Sequence, residues 1–380
     1  MGWVRTLERA GKRRLMRALG QVLHARPVEV EAFRRMRFER ILVVRQHNQM
    51  GDMMLAIPAL RAIRETYPGA RIGVITSRLN RDVLVGHPHV DRVFTYAKRD
   101  PLTSPGLIRE IRAERYDLAV ILHTVSFSFT TLMLGVLCGA PVRIGSTSRA
   151  VGESLTGSYL SLTLPLPTER ELETMNEAEH NLYPLRAVGI DTADLSPVMV
   201  PTAEHESWAS GFAASCWRVG TIRLAIHPGA GKAENVWPAE RFAAVVGLIA
   251  RQHAVSVVVV EGPSDQASVA AFCRACRETC GVGSQVVSER RIGEVAALLR
   301  RSDLVLCNDT GVMHVSAAVG ALTLAIFGKT DPQRWAPICE NLHVVQSPDG
   351  TLAGLEAEVV SRRALSLLES IPRAESDLQR

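Results

Sequence analysis

Aromatic residues make up 5% of this 380-residue chain, too few to suggest platforms on which bases would stack, so no nucleic-acid partner is expected. Long apolar runs are missing as well. The nearest candidate, "FTTLMLGVLCGA" at 129–140, falls short of the ~20 residues that span a bilayer, and no transmembrane helix is expected. Two phosphate-binding signatures are also absent. The loop after the first apolar run has only Gly51, and "HPGAGKAE" carries Gly229 and Gly231 without the third glycine of G-x-G-x-x-G. No G-x-x-x-x-G-K-[ST] occurs. Hydride transfer from a dinucleotide and hydrolysis of a nucleoside triphosphate both lose ground. The seven cysteines are odd in number and lack paired spacing, which suits reduced thiols in a cytoplasmic protein. Cys273, Cys276 and Cys280 lie on a helical pattern with no second Cys or His pair after them; they are expected on a helix surface, not around a metal.

What remains is an ordinary globular composition, 47% hydrophobic and 22% charged with 28 glycines. The length exceeds the roughly 250–300 residues at which one core stops growing, so two domains are expected. Charge is unevenly placed. Residues 1–40 hold eleven Arg or Lys against four Glu, a net +7 in a chain of net +5, leaving −2 for the rest. Trp3, Leu7, Leu15, Ala18 and Val22 recur at helical spacing, so residues 1–40 read as a basic amphipathic N-terminal extension. It either contacts an anionic membrane surface peripherally or docks on the body with a solvated basic face. A cleavable signal peptide fits badly, because arginines continue through Arg17.

From residue 41 the pattern alternates. "ILVVRQHNQMGD" precedes the amphipathic "MMLAIPALRAIRETYP"; "RIGVITS", "RVFTY" and "DLAVILH" follow with helix-like stretches between them. Residues 146–221 are less regular. A second series then opens with "IRLAIHPGAG" and runs through "SVVVVEGPSD", "SDLVLCNDTG" and "LTLAIFGKTDP". Strand alternating with helix predicts an α/β protein of two Rossmann-like domains with parallel sheets. The boundaries fall at 41–205 and 206–350, with a final helix in 351–380.

Ligands of such sheets bind beyond the carboxyl ends of the strands. In "VLCNDTGVMH" an apolar run ends in Asn308, Asp309, Thr310 and Gly311 where a helix begins. A helix start offers unpaired N–H groups and a positive dipole end, which can hold a phosphate; Asp309 or Thr310 acting only as a helix cap is the competing reading.

Taken in order, "MGDMMLAIPALRAIRETYPGARIGVIT", "IHPGAGKAENVWPAERFA" and "SDLVLCNDTGVMHVSAAVGALTLAIFGKTDPQRWAP" resemble glycosyltransferase family 9, whose best-known members are the ADP-heptose:lipopolysaccharide heptosyltransferases of Gram-negative bacteria. The resemblance covers about residues 41–345. It implies the GT-B fold, two facing Rossmann-like domains with a cleft between them, the first binding the acceptor and the second the donor.

The resemblance further implies an inverting, metal-independent transfer of a sugar, heptose from ADP-heptose in the first instance, onto a lipopolysaccharide-core or related glycolipid or glycan acceptor. The donor is a nucleotide-sugar substrate, and no cofactor is implied. The enzyme would work in the cytoplasm, at the inner face of the inner membrane if residues 1–40 attach there. Asp52 would be the catalytic base, against the alternative of an N-cap for a helix from Met53. Thr310, Gly311 and the N–H groups of Val312, Met313 and His314 would bind the diphosphate, with Asp309 beside them. His227, Gly229 and Lys232 would approach the nucleotide, and Asp265 or Glu261 a ribose hydroxyl. His314 could instead be a core histidine.

Two departures stand out. Many family members carry Lys or Ser two positions before the Trp of "WP", where this chain has Asn235 and its nearest cation is Lys232. "RQHNQMGD" is one residue longer than the family form, with His47 and Asn48 in place of small residues. An NDP-sugar epimerase of the same fold is disfavoured by the single carboxylate of the Asp52 loop. A non-catalytic nucleotide-sugar binding protein is the other alternative, favoured by the two departures.

Overall fold

The computed structural model describes residues 23–46, 49–97, 104–123, 127–148 and 152–370. The chain divides between Leu195 and Ser196, ten residues before the boundary read from sequence, because the helix Ala203–Cys216 packs on the second sheet's helix Ile292–Leu299.

Each unit holds one six-stranded sheet, and every pairing in both is parallel. The first unit has β1 (Arg40–Val44), β2 (Arg71–Ser77), β3 (Arg92–Tyr96), β4 (Leu118–Ile121), β5 (Val142–Ser146) and β6 (Leu162–Leu164), in the order β3-β2-β1-β4-β5-β6. The second has β7 (Ile222–His227), β8 (Val255–Val260), β9 (Ser284–Val287), β10 (Leu304–Asn308), β11 (Thr323–Phe327) and β12 (Leu342–Gln346), in the order β12-β11-β10-β7-β8-β9. Both sheets are therefore doubly wound. Chain direction across the sheet reverses between β1 and β4 and again between β7 and β10, and loops leaving such neighbours diverge to open a crevice.

The strands are rich in β-branched residues and the central ones are buried on both faces; β8, "VSVVVV", is buried along its whole length, as expected where helices cover a parallel sheet on each side. Gly73 in β2 is required by close packing, since a Cβ there would sit 2.0 Å from the Tyr116 hydroxyl. The irregular stretch at 146–221 contains the short β6 and the helix Glu177–Arg186, whose Asn176 cap and Glu179 form a reciprocal capping box.

The segments 25–39 and Ala357–Glu369 pack into the two units. Val28 N–H bonds the Ser161 carbonyl at 2.8 Å, and Phe33, fully buried in the helix Val30–Arg35, meets Phe38 at 5.4 Å between ring centroids. Residues 25–39 thus belong to the body of the first unit, while the amphipathic pattern of residues 1–22 lies outside the described residues. The helix Ala357–Glu369 places Val360, Ala364 and Leu367 in the core of the second unit with Phe242. Among the described residues no helix is long and apolar enough to cross a membrane.

Candidate functional site

In the second unit the polar loops after β7 and β10 are joined by one side chain. Asn308, the last residue of β10 and fully buried, donates from Nδ2 to the carbonyls of Pro228 at 3.0 Å and Gly229 at 3.1 Å, and its Oδ1 accepts the Trp237 backbone N–H at 3.1 Å. It therefore holds "HPG", "VWP" and the start of "NDTG" together across the switch point. Trp237 is itself pinned, its indole N–H donating to the Leu355 carbonyl and its ring meeting Phe242 edge-on at 4.9 Å.

Around this frame the residues expected at the site separate into two groups. His227, Gly229, Asp265, Met313 and His314 are buried. His227 Nδ1 lies 3.0 Å from the Val260 carbonyl, so Nδ1 carries the proton and the ring ties β7 to β8; burial lowers its pKa. Asp265 accepts the Gly262 N–H at 2.9 Å, and a Cβ on Gly229 would sit 2.2 Å from its carboxyl carbon. The carboxylate is thus packed between two glycines and braces the loop after β8. His314 faces the core, and burial pushes its imidazole down to about 4. The side chains of Met313 and His314 are interior, leaving their backbone as the part that can meet a ligand.

Lys232 is exposed, and Asp309, Thr310, Gly311 and Val312 are half-buried. Thr310 caps the helix Gly311–Ala318, its Oγ1 accepting the Val312 N–H at 3.1 Å. Thr310 thus does serve as a cap, and the Val312 N–H meets its hydroxyl there. The helix start nonetheless carries the dipole's positive end. Asp309 accepts from Asn235 Nδ2 at 3.2 Å. Burial raises its pKa, opposed by a hydrogen bond from Thr330 and by the charge of Lys232. Loops after β7, β10 and β11 thus converge on Asp309. Glu261 sits at the end of β8, its N–H on the Val287 carbonyl.

In the first unit Asp52 stands in the first turn of the short helix Met50–Met54, just past β1. The helix begins at Met50 and its cap position is Gln49, so Asp52 is not the N-cap. Its carboxylate is partly exposed and makes no hydrogen bond among the described residues. Burial raises its pKa, Arg45 lowers it and Glu177 raises it. Arg45 is 1% exposed and reaches the Asp52 main-chain carbonyl through Nη2 at 2.8 Å. Glu177, also 1% exposed, pairs with His180 Nδ1 at 2.9 Å. His47 and Asn48 lie outside the described residues.

The model of glycosyltransferase family 9 (heptosyltransferase) matches residues 106–361, two thirds of the chain and all of the Asn308 frame. The chain belongs to glycosyltransferase family 9. Lipopolysaccharide heptosyltransferase 3 of Escherichia coli K12 is 24% identical to this glycosyltransferase over 311 residues, 77% of this chain and 83% of the relative. The structure of a family 9 glycosyl transferase from Veillonella parvula DSM 2008 has a TM-score of 0.76 at 22% identity, covering 88% of this chain and 98% of that one. For E. coli ADP-heptose LPS heptosyltransferase II the TM-score is 0.72 at 20% identity, covering 87% and 98%. The fold is GT-B.

Several residues of the candidate site are not singled out by the sequence. Asn308 reads only as a polar strand end, since nothing local shows that its amide will reach two other loops. Thr330 sits in "FGKTDP" without a distinguishing spacing. Glu177 and His180, at i and i+3 on one helix face, are a local signal that could have been found. Among the described residues no group of three His, Cys, Asp or Glu side chains is placed to hold a metal ion. Cys280 Sγ instead bonds the Cys276 carbonyl, and Cys273 Sγ accepts from Ser284.

Proposed function

We propose that this family 9 glycosyltransferase moves a heptose from ADP-heptose onto a lipopolysaccharide-core or related surface-glycan acceptor, with inversion and without a metal ion. The acceptor hydroxyl oxygen bonds to the anomeric carbon as that carbon's bond to the diphosphate oxygen breaks. The bonding pair leaves with ADP, and the hydroxyl proton passes to the Asp52 carboxylate. One displacement inverts the anomeric centre.

The observation that carries this reading is Asp52 itself. It is a carboxylate at the end of β1, partly exposed, unengaged by any hydrogen bond among the described residues and made more basic by burial. Support for the donor comes from the second unit, where Thr310 and Gly311 start a helix whose positive end, about half a charge, would face growing negative charge on ADP. Lys232, close enough to act on Asp309, adds a cation there in place of the one absent at Asn235. The lipopolysaccharide heptosyltransferases among the relatives, one of them named for ADP-heptose, support the choice of sugar and acceptor. Such an acceptor places the enzyme in the cytoplasm at the inner membrane.

The test is to incubate the full chain with ADP-heptose and a lipid-A-type acceptor, with and without EDTA, following ADP release and the anomeric configuration of the product. ADP release that persists in EDTA with an inverted product is expected. No release with ADP-heptose or with a panel of other NDP-sugars overturns the proposal, and solvent proton exchange into the donor without acceptor would indicate an epimerase.

A further inference from the structure

Glu177 has no role in the reaction as described so far, yet it is a nearly inaccessible carboxylate beside the base. The N-terminal turn of the helix Glu177–Arg186 is docked on the Asp52 turn through Asn181, whose Nδ2 donates to the Leu55 carbonyl at 3.2 Å and to the Glu177 carbonyl at 2.7 Å. The carboxylate of Glu177 is held by His180 at 2.9 Å. On the other side Arg45 is fixed by its bond to the Asp52 carbonyl, and its buried Nε and Nη1 find no hydrogen-bond partner among the described residues. Two carboxylates, Asp52 and Glu177, thus act electrostatically on this one buried guanidinium.

We propose that Glu177 is a positioning residue of the transfer, a buried second carboxylate that shares the Arg45 charge with Asp52 and so keeps Arg45 from neutralising the base. A lone buried arginine beside Asp52 would stabilise the charged carboxylate and make it a poor proton acceptor. Glu177 offsets that effect, while the retained cation compensates the buried Glu177 carboxylate. His180 supplies the hydrogen bond that aims the Glu177 carboxylate. The charged and titratable groups acting on Asp52 among the described residues are Arg45, from its own loop, and Glu177, from the helix packed on it; the group acting on Glu177 from its own helix is His180.

This inference rests on Asp52 being the base, and the experiment separates the two. The pH profile of kcat/KM is measured for the full chain with ADP-heptose and a lipid-A-type acceptor, for the wild type and for E177Q, E177D, H180A and D52N, with folding checked by thermal melting. In E177Q the acid limb moves to lower pH by about one unit, the plateau falls because the base is weaker, and the KM for ADP-heptose stays unchanged. E177D, which keeps the charge, restores the limb. H180A, which retains Glu177 but loosens it, moves the limb the same way by less and decides the matter if E177Q does not fold. An unmoved acid limb in a folded E177Q, or in H180A where E177Q fails to fold, overturns the inference. Near wild-type turnover in D52N instead removes the base reading beneath it.

Discussion

Arg45 donates from Nη2 to the main-chain carbonyl of Asp52 across 2.8 Å, so the guanidinium is anchored by the turn that carries the carboxylate and leaves the carboxylate itself unclamped. A directly clamped aspartate would be held ionised and would accept a proton poorly. The arrangement explains how a fully buried cation and a partly exposed carboxylate coexist in the segment after β1.

Replacing Asp52 by Asn removes the proton acceptor at almost constant volume. Turnover is expected to fall by roughly 10²–10⁴-fold, the usual contribution of a general base, while the Kd for ADP is unchanged. Steady-state assays with calorimetry on the same preparation check both halves. A variant of near-normal rate would leave Asp52 with a structural task only.

Asn308→Ala cuts three hydrogen bonds at once, and leaves the Pro228 and Gly229 carbonyls and the Trp237 N–H without their partner in a dry site. Stability should drop by about 2–4 kcal/mol, since buried polar groups left unpaired cost more than the bonds were worth. ADP affinity should weaken too, as the loops after β7 and β10 lose their common tie. Asn308→Asp is expected to be no better, because a carboxylate would face two carbonyls that can only accept. Chemical denaturation and ADP titration measure the two effects.

His314 makes stability depend on pH. Its imidazole is buried, with Nδ1 lacking a partner among the described residues, and its pKa is lowered to about 4. In the unfolded chain the ring takes up its proton near the ordinary histidine value of about 6.5. Between these values the unfolded state binds the extra proton, so stability is full above about pH 6.5 and falls as pH drops toward 4. Fully developed, the loss is about 3 kcal/mol. His314→Leu should flatten this part of the profile, which denaturation midpoints between pH 7 and pH 4 would reveal.

These sites differ in how far the sequence exposes them. Alternation of strand and helix is a local property, so two Rossmann-like sheets follow from "ILVV", "RIGVIT", "IRLAI" and "SVVVV" with little else. Thr310 at a helix start is equally local, because a capping hydroxyl is recognised within three residues. Asn308 and Glu177 are not. Asn308 acquires its function from carbonyls some 80 residues earlier, and Glu177 from an arginine and an aspartate more than 120 residues away. Asp265 carries a task that the local pattern does not show. An acidic residue after a strand reads as a ribose ligand or a helix cap, and the glycines at 229 and 262 that admit its carboxylate let it also brace the loop after β8.

The N-terminus allows the membrane question to be put without disturbing the fold. Residues 1–22 hold six Arg or Lys against one Glu, and each basic residue near an anionic bilayer is worth about 1 kcal/mol until salt screens it. The contacts of the body begin immediately afterwards, with the Leu23 carbonyl accepting from Arg143 Nη2 at 3.0 Å and Ala25 N–H bonding the Ser158 carbonyl at 2.9 Å. Deleting residues 1–22 therefore spares these bonds, whereas a cut a few residues later would leave the buried Arg143 short of an acceptor. The shortened chain is expected to keep its melting temperature and its activity on a detergent-soluble acceptor, but to lose salt-sensitive sedimentation with anionic vesicles. Sedimentation equal to that of the full chain would place the membrane contact elsewhere, and a collapse in melting temperature would assign the basic segment to the body of the first unit.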